Sequence, residues 1–259
     1  MKMKKSVVKI ISLAFAIGLF CIALCSCGSK KKTFIVGFDA DFPPYGYVGD
    51  NGEYTGFDIE LAKEVAKRNG WEIELKAIDW NNKDFLLSSG AINCIWNGFT
   101  MNGREDKYTW SKAYVDNSQV VVVKSGSGIS TLDDLAGKTV AVQSGSSALS
   151  VLTDEENSKM IKLKNSFKEL KEYADYNAAF LALESGAVDA IAMDIGVAKY
   201  QIASRGEGYQ QLETILASEQ YGIGFALGDT ELCDAVSKTL SEIMTDGTYD
   251  KLAEKFGID

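Results

Sequence analysis

Apolar and polar positions along this chain switch between a period of two and a period near 3.6, and the switches mark out strands and helices in turn. TFIVGF (33–38) reads as a strand. GFDIELAKEVAKRNG follows as a helix, with Phe57, Leu61 and Val65 on one face beside Ala62 and Ala66. Acids precede Lys63, Lys67 and Arg68 on its outer face, and Gly70 is a natural stop. WEIELKAI (71–78) is strand-like, a short helix is expected around 82–88, and AINCIW (91–96) reads as a strand. QVVVVK (119–124) is apolar without alternation, as expected of a strand covered on both faces. TLDDLAG predicts a capped helical turn, KTVAVQ (138–143) a strand, and a helix is expected after Ser146 and Ser147. Helix DYNAAFLALESG, strand AVDAIAMD (187–194), helix IGVAKYQIASRG, strand QYGIGFAL (220–227) and helix TELCDAVSKTLSEIM complete the series. Strands alternating with helices predict an α/β chain with mostly parallel sheets.

One segment recurs. LSSGAINCI (87–95) matches LESGAVDAI (183–191): a helix end, a Gly stop, then an apolar strand. A weaker echo pairs Val36, Gly37, Phe38 and Asp39 with Val140, Ala141, Val142 and Gln143. Two echoes at similar offsets predict two lobes of related build, and two copies are too few for a solenoid. Ligands of open parallel sheets lie outside the carboxyl ends of the strands. The echoes put Asp39, Asn97, Gly98, Gln143 and Asp194 at such ends, so facing lobes would line one cleft with them.

The first thirty residues carry a different pattern. MKMKKSVVK is basic, IISLAFAIGLFCIAL is apolar, and Leu24, Cys25, Ser26 and Cys27 follow. This is the build of a secretory signal, and a small Ser before Cys resembles a bacterial lipobox. The expectation is a signal peptide over 1–26, lipid on Cys27, and a short polar tether over 27–32. An uncleaved span is the rival reading; Lys9 within the apolar window and the Cys placed after Ser favour the lipoprotein. Cys94 and Cys233 lie in strand and helix patterns and read as small core residues; pairing between them stays open in an oxidising compartment.

Composition narrows the chemistry. Of 27 basic residues, Lys2, Lys4, Lys5 and Lys9 belong to the leader, which holds no acid, so 23 remain against 36 acids. A body of that charge repels phosphate backbones and makes nucleic acid an unsuitable partner. The absence of histidine removes His-dependent triads, most zinc sites and the usual neutral-pH base. No G-x-x-x-x-G-K loop is present, and neither cofactor nor metal is expected.

Arginine occurs only at positions 68, 104 and 205. Arg104 follows an apolar strand in NGFTMNGRE, where its planar fork suits a carboxylate; Thr100 adds a hydroxyl and Gly98 leaves the backbone open. The plainer reading pairs Arg104 with Glu105 or Asp106 in a surface turn. Asp39 and Asp194 each end an apolar strand and need a partner such as an ammonium, while Asp194 also stands where it would cap the next helix. Phe42 and Trp80 are flanked by polar residues and read as cleft walls, and SGSSA (144–148) offers donors at a helix start.

Taken together, GFDADFPPYGY, GEYTGFDIELAKEVAKRNGW, SGAINCIWNGFTMNGRE, VAVQSGSS, LALESGAVDAIAMD and QYGIGFAL resemble the extracellular solute-binding proteins of family 3, the amino-acid receptors of ABC importers. The resemblance covers residues 33–259. It implies a type II periplasmic-binding-protein fold: lobe 1 from 33–115 and 220–259, lobe 2 from 119–217, and two hinge crossings near 114–118 and 218–221. It implies that Arg104 clamps an α-carboxylate, that Gly98, Thr100 and Ser146 or Ser147 help hold the head group, and that Asp194 takes the α-ammonium. Asn97 and Gln143 line the same cleft, while Asp39, Phe42 and Trp80 meet the side chain. The implied partners are a free amino acid, the transmembrane subunits of a permease and, through the lipid, the membrane; a monomer is expected. TMNGR is one residue shorter than the family's usual spacing. Gln143 stands where some relatives have Arg or Lys, and Met193 where one has His, so side-chain specificity does not transfer. The aromatic walls and Gln143 favour a neutral polar side chain such as glutamine or cystine; Asp39 suits a basic one.

Two rivals share the fold. A cyclohexadienyl dehydratase-like lyase needs a positioned carboxylic acid, and no acid is spare once the binding roles are filled. A sensory module needs a further domain, and the chain ends at KFGID.

Overall fold

The computed structural model describes residues 31–258. The expected leader, the lipid on Cys27 and most of the tether lie outside the described residues, as does Asp259. In chain order the elements are β1 (Thr33–Phe38), β2 (Asp41–Phe42), β3 (Gly46–Val48), β4 (Tyr54–Thr55), α1 (Phe57–Arg68), β5 (Glu72–Ala77), α2 (Lys83–Ser88), β6 (Cys94–Ile95), β7 (Thr109–Trp110) and β8 (Val115–Lys124). They continue with β9 (Thr139–Gln143), α3 (Ser147–Thr153), α4 (Ser158–Ser166), β10 (Glu169–Tyr173), α5 (Tyr176–Ser185), β11 (Ala190–Asp194), α6 (Ile195–Arg205), β12 (Tyr209–Gln211), β13 (Ala217–Tyr221), β14 (Gly224–Phe225), α7 (Thr230–Thr245) and α8 (Thr248–Phe256).

Two lobes result, each with its own sheet. The first has the order β5-β1-β6-β14-β7; the second runs β10-β9-β11-β8-β12, with β13 also on β8. Parallel pairs form the part of each sheet built from strand–helix units: β1 with β5 and β6, and β9 with β10 and β11. The antiparallel pairs involve β8, β12, β13, β14 and β7, in and beside the segments that pass between lobes. A small β2-β3-β4 sheet, without a strong periodic signal, lies between β1 and α1 in the chain.

The sequence echoes are structural equivalences. Val36 pairs with Cys94 in the first lobe, and Val140 pairs with Ala190 in the second. Asn93 Oδ1 accepts from the Ile35 amide at 2.7 Å; its counterpart Asp189 Oδ2 accepts from the Thr139 amide at 2.8 Å. Gly90 and Gly186 end the preceding helices with φ of 73° and 78°, a conformation other residues reach only with strain.

Local chemistry explains most element boundaries. On α1, Phe57, Leu61 and Val65 are fully buried with Ala62 and Ala66, as the period predicts, each large side chain contributing ~1.5–3 kcal/mol. Asp175 caps α5 by accepting from Ala178 N at 2.8 Å, and in TLDDLAG, where a capped turn is expected, Thr131 and Asp134 form a capping box. Other edges moved. AINCIW is a strand only at Cys94 and Ile95, because the preceding residues complete the turn after Gly90. QYGIGFAL is split, Tyr221 ending β13 and Gly224 beginning β14. The crossings expected as connectors are themselves strands: β8 and β13 pair from Val115 with Tyr221 to Gln119 with Ala217. Cys94 and Cys233 are buried free thiols.

Candidate functional site

The carboxyl ends of β1, β6, β9 and β11 converge between the lobes, as the parallel topology requires. One cavity there is lined by Phe42, Trp80, Asn97, Gly98, Phe99, Thr100 and Arg104 from the first lobe and by Gln143, Ser146, Ser147 and Asp194 from the second. Its free space is about 20 Å³, room for little more than a water molecule. Ten of the eleven residues singled out in the sequence thus share one cavity. The eleventh, Asp39, joins through Gln143, whose Nε2 donates to Asp39 Oδ2 at 2.8 Å across the lobes. Asn177 Nδ2 to Asp41 Oδ1, at 3.2 Å, is a second contact between lobes.

Arg104 is not the solvated turn residue of the plainer reading. Its guanidinium lies 5.0 Å over the Phe99 ring and donates to the carbonyls of Thr100 at 3.1 Å and Gly145 at 3.4 Å, the latter across the lobes. Neutral carbonyls therefore meet the fork. Burial lowers the pKa of Arg104, opposed by Tyr108, Glu219 and Asp194. A second cation is nearby: Lys83 is buried, sits 5.0 Å over the Trp80 ring, and has its pKa lowered by burial.

Asp194 occupies the position before α6, yet its side chain makes no capping bond there. It turns instead to the cleft floor, where Oδ1 accepts from Tyr221 OH at 2.6 Å, Gln119 Nε2 at 2.7 Å and Asn117 Nδ2 at 2.9 Å. Tyr176 OH reaches Oδ2 at 3.4 Å. Burial, then the charge of Glu219, pushes its pKa up to about 7; the hydrogen bonds pull it down. Asp39 is raised too, chiefly by burial.

Gly98 has φ of 54°, and a Cβ there would meet the rings of Phe42 and Tyr221 at 3.0 Å. Its amide donates to Asp58 Oδ2 at 2.5 Å, which fixes the loop leading to Arg104. The side-chain oxygen and nitrogen of Asn97 are buried on the cavity wall with no partner among the described residues, an arrangement that costs ~1–3 kcal/mol unless a ligand supplies one. Ser146 caps α3, accepting from Leu149 N at 3.2 Å, and Ser147 Oγ donates to Glu219.

Sequence reasoning missed Asp58, Asn117, Gln119, Tyr221 and Glu219. The signal was present. In VDNSQ and ASEQY, period-two alternation turns Asn117, Gln119, Glu219 and Tyr221 inward with Val115. In α1, Asp58 falls one turn before Leu61 and Ala62, on the buried side. No cluster of three or more metal-ligating side chains occurs among the described residues, and none of their helices is long and apolar enough to cross a membrane.

Residues 34–259 match the sequence profile of the bacterial extracellular solute-binding proteins, family 3. The chain belongs to that family. Among family 3 relatives, the L-cystine-binding protein TcyJ of Escherichia coli (strain K12) is 30% identical over 234 residues, covering 89% of this chain and 85% of that protein. The arginine-binding extracellular protein ArtP of Bacillus subtilis (strain 168) is 32% identical over 244 residues, covering 90% and 92%. A histidine-bound substrate-binding protein of an ABC uptake transporter from Streptococcus pneumoniae superposes with a TM-score of 0.81 at 32% identity, covering 86% and 92%. Membership in family 3 carries the type II two-lobed fold, amino-acid binding and a place outside the cytoplasm.

Proposed function

We propose that this protein is the capture component of an amino-acid ABC importer, holding one L-amino acid by its zwitterionic head between the lobes and presenting it to a membrane permease. The observation that carries the reading is the meeting of Arg104 and Asp194 on one small cavity, with neutral groups as their hydrogen-bond partners. A half-buried guanidinium and a buried carboxylate each gain from a counter-charge, and an α-carboxylate and α-ammonium supply both at once. In this reading Gly98, Thr100, Ser146 and Ser147 complete the head-group pocket, and Asn97, Gln143, Asp39, Phe42 and Trp80 meet the side chain. Lobe 1 comprises 33–115 and 220–259, lobe 2 comprises 119–217, and β8 and β13 bend as the hinge between open and closed forms.

The side chain favoured is neutral and polar, glutamine or cystine, because Gln143 already engages the Asp39 carboxylate at the far wall. The protein works as a monomer without cofactor and is held at the membrane by lipid on Cys27 after loss of 1–26. It is not an enzyme: Asp194, the cavity acid with a raised pKa, is committed to four donors in the floor. A thermal-shift screen against the twenty amino acids and cystine tests the reading. A ligand at ~100 times its Kd adds about 2.7 kcal/mol of stability. Silence across the whole panel, or turnover of prephenate-like acids, overturns the proposal.

A further inference from the structure

Asp194 is not the only acid in the cleft floor. Glu219, in the returning crossing β13, is 5% exposed against 4% for Asp194. The two carboxylates share their donors. Asn117 Nδ2 reaches Asp194 Oδ1 at 2.9 Å and Glu219 Oε1 at 2.7 Å, and Gln119 Nε2 reaches the same two oxygens at 2.7 Å each. Those oxygens therefore stand no farther apart than two hydrogen-bond lengths. Glu219 also takes Thr100 Oγ1 of the first lobe at 2.8 Å and Ser147 Oγ of the second. Asp194, Thr100 and Ser147 all line the ligand cavity, so an ammonium set against Asp194 lies one shell from Glu219.

Two buried carboxylates at this separation resist being charged together, and a proton or a cation relieves them. We propose that Glu219 is the second carboxylate of the ammonium pocket, and that the Asp194–Glu219 pair keeps one proton when no amino acid is bound and releases it as the α-ammonium enters. The inference rests on the proposed amino-acid capture. The step balances without a co-reactant: the protonated pair and a zwitterion give the complex and one proton in solvent, and no covalent bond beyond O–H is broken. Glu219 acts as a positioning residue, sharing Asn117 and Gln119 with the acid that touches the ammonium.

The surroundings favour a proton on Asp194. Burial, followed by the charge of Glu219, holds Asp194 up to about 7. The phenols facing it are Tyr45 from the turn before β3, Tyr176 from α5 and Tyr221 from β13; burial raises all three, so they stay neutral. Asp58 of α1 acts on Tyr45 from the other side. Arg104 is the opposing charge within the cavity, and Lys199 of α6 and Asp116 of β8 line a second groove together with Glu219.

Titration calorimetry in two buffers of different ionisation enthalpy counts the proton. The probes are L-glutamine and L-arginine, whose own groups are almost silent between pH 6 and pH 8. Wild type is expected to release most of a proton per amino acid at pH 6 and little at pH 8, with affinity rising about tenfold between them. Glu219→Gln should release clearly less than wild type at pH 6, because burial still raises Asp194 but the charge of Glu219 is gone, and Glu219→Asp should restore the release. No release from wild type, or equal release from Glu219→Gln, overturns the inference and leaves amino-acid capture standing. Should Glu219→Gln not fold, the pH profile of wild type decides alone. Binding by none of the probes overturns the capture of these amino acids and, with it, the inference.

Discussion

Gln143 and Asp39, counterparts in the sequence echo of the two lobes, hydrogen-bond to each other across the cleft at 2.8 Å. The last residue of β9 thus meets the residue just after β1, its equivalent in the other lobe. Ends of equivalent parallel strands face each other, and the ligand cavity lies beside that contact. In the proposed reading the pair meets the ligand side chain and selects it by charge. Asp39→Asn should leave a neutral amino acid bound within about threefold, and should weaken arginine by tenfold or more, since it removes a charge-assisted bond worth ~1.5–3 kcal/mol. A competition panel reads the difference; equal losses for both classes would contradict it.

Arg104→Ala should lower amino-acid affinity by at least ~100-fold, the equivalent of about 2.7 kcal/mol, because a buried carboxylate loses its counter-charge. Arg104→Lys should recover little of this, as an ammonium cannot form the paired bonds of a guanidinium. The melting point without amino acid should change by only a few degrees, since the fork is held by two carbonyls at 3.1 and 3.4 Å. Unchanged affinity in calorimetry would remove Arg104 from the site.

Gly98→Ala should destabilise the fold by about 1–3 kcal/mol. The positive φ strains any side chain, and the new Cβ presses on the Phe42 and Tyr221 rings, both well packed. Differential scanning calorimetry should show a drop of about 3–8 °C. A melting point equal to wild type would show that the loop adjusts freely.

Stability without amino acid should fall as pH rises from 5 to 8. Asp58 and Asp194 are each pushed up to about 7, chiefly by burial. A carboxyl raised above its unfolded value binds its proton more tightly in the native state, so the stability it gives is lost as pH climbs through the window between the two values. Asp134 and Asp246, held down at about 2 by hydrogen bonds, lend stability that disappears only below about pH 4. The melting point should therefore be higher at pH 5 than at pH 8, and a rise towards pH 8 would contradict the burial of these acids.

Cys27→Ser should shift the full-length protein from the membrane fraction to the soluble fraction. Mass spectrometry should find lipid on the N-terminal cysteine of wild type and a start at residue 27. An intact 1–26 segment in the membrane-bound protein would replace the lipid with an uncleaved span.

Much of this architecture was legible because it rests on local periodicity. The buried stripe of α1, the apolar run of β8 and the Gly stops at 90 and 186 follow from spacing and backbone preference alone. The cleft was legible because residues at the ends of parallel strands must converge. What escaped notice depends on pairing between distant segments. Glu219 lies near no other acid of the site in sequence and gains its meaning from Asn117 and Gln119, roughly a hundred positions earlier, only when β13 lies antiparallel to β8. Asp58 reads as an acid of the first helical turn, favourable to the dipole, until the loop at Gly98 brings its amide against it. The small β2-β3-β4 sheet carries turn residues and short pairings that give no sustained period.

The central claim is that Arg104 and Asp194 hold the two ends of one zwitterion. Calorimetric titration of the wild-type protein with the amino acid identified by thermal shift, then with its methyl ester and its N-acetyl derivative, tests it most directly. The free amino acid should bind, and blocking either end should weaken binding by ~100-fold or more. Derivatives that bind as well as the free amino acid would contradict the account.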